Sequence, residues 1–125
     1  MDERQLKKYL YDFYSLEAES KLLKTCIHTY NNTPMLPLYK EKLFQIQILS
    51  DAKAILNKTE LFVIETHLIK HCTWSETAKL FSIEYGKEME RSERTLKRLQ
   101  SKALKKMLKL INEFPVQNHF TDKPY

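Results

Sequence analysis

Eight Lys and Arg residues stand within residues 91–109, against one Glu. The stretch 92–107 reads SERTLKRLQSKALKKM. Arg94, Lys97, Arg98, Lys102, Lys105, Lys106 and Lys109 recur at steps that gather them on one side of a helix. Leu96, Leu99, Ala103, Met107 and Ile111 fall on the other side at steps of three or four. Guanidiniums and ammoniums in such a row suit docking on a phosphate backbone. They neutralise phosphates, and near a helix start they reach base edges in a major groove. Ser92 is an N-cap candidate for this helix, because its side-chain oxygen can accept a first-turn backbone N–H.

Other reactive side chains give no comparable pattern. His67 and His71 are spaced i,i+4 with Cys72 adjacent, but two further zinc ligands are missing nearby, so no metal is expected. There is no phosphate-cradling glycine loop, since the chain has one glycine, and no nucleophile–base arrangement. The chain is therefore read as a non-enzyme with no cofactor and no small-molecule substrate. Trp74 spaces with Ala78 and Phe81, which predicts a core residue.

The helices that must position the basic row follow from caps and periodicity. The chain has 125 residues and a net charge of +5. With about +7 of formal charge in residues 91–109, the remainder is slightly acidic, so the positive charge is a local footprint. Abundant Leu, Lys, Glu and Ile with one Gly and four Pro predict an all-α protein. Leu6, Leu10, Phe13, Leu16 and Leu23 predict a first helix over about 2–30, stopped by Asn31-Asn32-Thr33-Pro34. Leu43, Ile46, Leu49 and Ile55 predict a second over 38–55. The two are expected to form an N-terminal helical hairpin spanning 1–55. Capping signals at Asn57/Glu60, Thr73/Glu76 and Ser92 then predict helices at about 58–70, 74–85 and 92–112. These make a DNA-binding unit over 56–111, followed by an extended tail at 112–125 with Pro115 and Pro124. No apolar run is long enough for a membrane span, and neither a secretory leader nor a disulfide between Cys26 and Cys72 is expected.

The last three helices resemble the DNA-binding region 4 of sigma-70-type factors. Leu56, Glu60, Val63, Ile64 and Leu68 match its first apolar helix, and Trp74, Glu76, Thr77, Ala78 and Leu80 its supporting helix. Ser92, Thr95, Leu96, Lys97, Arg98, Ala103 and Leu104 resemble its recognition helix. The ending is also similar to the autolysin-regulator family of phage and mobile-element transcription activators. No sigma region 2 is visible. The resemblance implies a helix-turn-helix in which Glu93, Arg94, Lys97 and Arg98 read bases. Thr73, Ser75, Arg91, Ser92, Lys102 and Lys105 are the expected phosphate contacts, with Lys106 facing phosphates or a protein. Residues 81–91 are longer than the usual turn of that family, so either the supporting helix is extended or a loop is inserted.

The function implied is sequence-specific binding of double-stranded promoter DNA in the bacterial cytoplasm, as a late-gene activator working with RNA polymerase. Residues 1–55 carry eight Lys/Arg against seven Asp/Glu, so they are expected to dimerise or touch polymerase while 56–111 binds DNA alone. Two rival readings are a protein-interaction module that inhibits a host enzyme such as polymerase, and a DNA-packaging adaptor like a small terminase subunit.

Overall fold

Capping side chains set where the helices begin. The structure, a computed structural model, describes residues 1–87 and 91–120, and every regular element among them is helical. Asp2 caps α1 (Glu3–Tyr11): its carboxylate accepts the Gln5 N–H at 2.8 Å, and the Gln5 side chain accepts the Asp2 N–H at 2.9 Å. Asn57 and Glu60 exchange the same pair of bonds at α4 (Lys58–Val63). Thr73 and Glu76 do so at α5 (Trp74–Tyr85). Ser92 accepts the Thr95 N–H at the start of α6 (Glu93–Asn112). Each box satisfies donors that the first helical turn leaves unpaired.

The single helix expected over 2–30 is two. Asp12 sits at φ −90°, ψ 9°, and separates α1 from α2 (Phe13–Tyr30). The break turns Leu6 and Leu10 onto α6 and the segment after α4, while α2 packs along α3 (Leu36–Lys53). Burial of two apolar faces in different directions thus overrides a continuous helical pattern. The His71 ring closes this corner by donating from Nε2 to the Tyr11 carbonyl and stacking on the Tyr11 ring at 3.6 Å between centroids. Asn31 ends α2 in the left-handed region at φ 54°, and a short 3-10 turn, Thr33–Met35, leads into α3. α4 continues as a π-helical segment, Ile64–Ile69, so the expected helix over 58–70 is present with a widened second half.

The expected extended tail is corrected over residues 115–120. Pro115–Phe120 form a 3-10 helix, and Phe120 is buried. Its ring meets Tyr9 edge-on at 4.8 Å. Gln45 donates from its side chain to the His119 carbonyl at 2.7 Å, and the His119 ring meets the Glu41 carboxylate at 2.9 Å. Burying an aromatic ring and satisfying two polar groups outweighs the freedom of a loose end. The rest of that segment, 121–125, lies outside the described residues.

One apolar cluster joins both sides of residue 55. It takes Leu6 and Leu10 from α1, Leu49 from α3, Ile64 from the π segment, Leu104 and Met107 from α6, and Phe120. A smaller cluster of Val63, Phe81 and Leu96 seats α5 against α6.

Candidate nucleic-acid interface

α6 is built as its sequence pattern requires. Leu96, Ala103, Leu104, Met107 and Ile111 are buried, and Leu99 is partly so. Arg94, Arg98, Lys102, Lys105 and Lys109 are exposed, at helical steps of four, four, three and four. They form one stripe of positive charge opposite the packed face. Glu93, in the first turn, is exposed as well and suits the positive end of the helix dipole.

Lys97 departs from that row. It sits on the flank of α6, with Nζ 5.9 Å from the centre of the Trp74 ring. Trp74 packs against the apolar cluster, as its spacing with Ala78 and Phe81 predicts, but is only partly buried. It leans on the Val63–Phe81–Leu96 cluster on one side and stacks on His67 on the other, with centroids 3.6 Å apart and planes 20° off parallel. In α5 the fully inward positions are Thr77 and Phe81, and Leu80 is 40% exposed.

Lys106 is not available to a phosphate. Its Nζ donates to Glu60 Oε1 at 2.7 Å, and Glu60 is 0% exposed. Burial pushes the Glu60 carboxyl up. The hydrogen bond from Lys106, the Asn57 backbone donor and the charges of Lys106 and Lys102 outweigh it, and the group is held below the ordinary carboxylate range. This pair ties α4 to α6 across 46 residues. Nothing in the sequence connects two residues so far apart, although Glu60 was visible as a capping partner.

Thr73 and Ser75, at the start of α5, are exposed; Ser92 is exposed and Arg91 half-exposed just before α6. The hydroxyls of Thr73 and Ser92 already accept a helix N–H, and the Glu76 carboxylate lies at the start of α5. That carboxylate weakens the attraction of this helix end for a phosphate. Gly86, at φ 84°, ends α5. Helix therefore extends through Tyr85, which takes up much of the long 81–91 link; residues 88–90 lie outside the described set.

The chain matches no known family model, no curated protein and no solved structure. The site is therefore read from its own geometry. His67 and His71 are committed to packing: His67 Nδ1 donates to the Cys72 carbonyl at 2.8 Å, and His71 serves the Tyr11 corner. Among the described residues no group of three His, Cys, Asp or Glu side chains could hold a metal ion. Cys26 and Cys72 are free thiols, and no described helix is long and apolar enough to cross a membrane.

Proposed function

We propose that this protein is a sequence-specific DNA-binding transcriptional regulator, with α5 and α6 acting as a helix-turn-helix and α6 as the recognition helix. The observation that carries the reading is the exposed stripe Arg94, Arg98, Lys102, Lys105 and Lys109 on a helix whose opposite face is packed into the core. A rigid helix with one solvated basic face meets the shape and charge of a major groove. Arg94 and Arg98, nearest the N-terminal end, are the base readers in this reading, and the three lysines beyond them meet phosphates. The resemblance to region 4 of sigma-70-type factors and to autolysin-regulator proteins adds activation of promoters with bacterial RNA polymerase, in a phage or mobile element.

The test is a duplex titration followed by fluorescence anisotropy over a range of salt. With about half the basic residues of 91–109 meeting phosphates, log affinity is expected to fall against log salt with a slope of roughly −3 to −5 per protomer. A flat salt profile overturns the reading. On a site recovered by selection, Arg94→Ala is expected to lose about 1–3 kcal/mol of preference over random duplex. An equal loss on both duplexes moves Arg94 to the phosphate contacts.

A further inference from the structure

A cleft of about 390 Å³ opens between α1 and the flank of α6, lined by Glu3, Lys7, His67, Trp74, Lys97 and Ser101 among others. Its two ammoniums come from opposite ends of the chain, Lys7 from α1 and Lys97 from α6. Burial of the His67 ring holds its pKa below the ordinary imidazole range; the hydrogen bond with the Cys72 carbonyl opposes this, and the nearby charges of Lys7 and Lys97 add to the lowering. Glu3 offsets one ammonium, which leaves one net positive charge in the cleft.

The wall chemistry is rich in donors. Two ammoniums, the Ser101 hydroxyl and the Trp74 indole N–H can all donate. Gln100 on the same wall is 7% exposed, and its Oε1 has no hydrogen-bond partner. That oxygen is an acceptor sealed from solvent, and the donors lining the cleft are those of Lys7, Lys97, Ser101 and Trp74. Donors around a net positive charge call for an anion with several acceptor oxygens. The cleft adjoins the basic stripe, since Lys97 lies one turn along α6 from Arg94 and next to Arg98. It also adjoins the start of α5, where Trp74 is the first residue.

We infer that this cleft seats one backbone phosphate of the bound duplex, clamped between Lys7 of α1 and Lys97 of α6, so that the N-terminal helix is part of the DNA footprint. The inference rests on the DNA-binding reading above and deepens it. It moves Lys97 from base reading to phosphate positioning. It also assigns a DNA contact to residues 1–55, whose near-neutral charge gave no hint of one.

Trp74 is the chain's single tryptophan, so its emission reports on the cleft alone. The experiment follows anisotropy of a labelled mixed-sequence duplex and Trp74 emission together, using the full chain, Lys7→Ala and, as a control, Lys24→Ala at an exposed position on α2. Lys7→Ala is expected to reduce the magnitude of the salt slope by about 0.9, which is about eightfold in affinity at 0.1 M salt, and Lys24→Ala to match the parent. The duplex is expected to shift or quench Trp74 emission in the parent. Duplex binding with an unchanged slope in Lys7→Ala, or with unmoved Trp74 emission, overturns the clamp and leaves the DNA reading standing. Inorganic phosphate alone moving Trp74 emission as fully as the duplex overturns it in favour of a free-anion site. Absence of any salt-dependent duplex binding by the parent removes the DNA reading, and the clamp with it.

Discussion

Lys106→Met is expected to destabilise the fold by about 3 kcal/mol at neutral pH, because it leaves the Glu60 carboxylate buried without its counter-ion. Glu60 is 0% exposed, and one of its oxygens, Oε2, already has no partner. The figure sits at the low end of the range of about 3–5 kcal/mol for breaking a buried pair. Lys106 is 38% exposed, and Lys102 stays near enough to favour the carboxylate. The sign of the pH dependence separates this from ordinary loss of packing. In the parent the carboxyl is held below its unfolded value, so its contribution is present above the unfolded pKa and is lost as pH falls through the folded one. In Lys106→Met the hydrogen bond and charge that lowered it are gone while burial remains, which raises the folded pKa. That variant therefore regains stability relative to the parent as pH falls. Urea unfolding of both proteins at pH 7 and near pH 4 reads the difference. A gap that stays constant or widens in acid would mean that the ion pair is not what holds α4 to α6.

The helix starts were legible because they rest on local chemistry. Asn57 and Thr73 cap as the glutamates three residues on foretell, Ser92 caps by its own hydroxyl, and the Asp2–Gln5 box carries the same signature as the first two. The apolar stripe of α6 was legible for the same reason, since its periodicity is a property of one helix. What escaped depends on partners far along the chain. Asp12 breaks a helix without Gly or Pro, and the break follows from where Leu6 and Leu10 must go. Order at Pro115–Phe120 needs Tyr9 and Gln45. Lys97 belongs to the basic run by sequence, yet in space its ammonium lies 5.9 Å from the Trp74 ring and lines a cleft shared with α1. Lys106 belongs to the same run and is spent on Glu60. A charge run fixes the helix that carries it, but the neighbours of that helix decide which charges remain free to meet a ligand.

The second large effect is expected on cutting the chain. Residues 56–111 alone, read from sequence as a unit that binds DNA by itself, are expected to show no cooperative unfolding transition. Among the described residues the main cluster has 14 buried members, and 7 of them lie outside that fragment: Leu6, Leu10, Phe13, Leu16, Leu49, Ala52 and Phe120. Truncating one buried leucine typically costs about 2–5 kcal/mol, and a whole domain holds only about 5–15 kcal/mol. Removing four buried leucines and two phenylalanines together exceeds what the fragment can lose. Exposure of Ile64, Leu104 and Met107 also leaves an apolar face that favours aggregation. Thermal melts of the fragment and the full chain, followed by far-ultraviolet circular dichroism, decide this, and a sigmoidal melt of the fragment near the full chain's midpoint would show 56–111 to be autonomous. The outcome governs how the role of the N-terminal half can be assigned. If the fragment does not fold, its failure to bind DNA says nothing about α1. The contribution of Lys7 then has to be read from point variants in the full chain, where the core that holds α1 against α6 is intact.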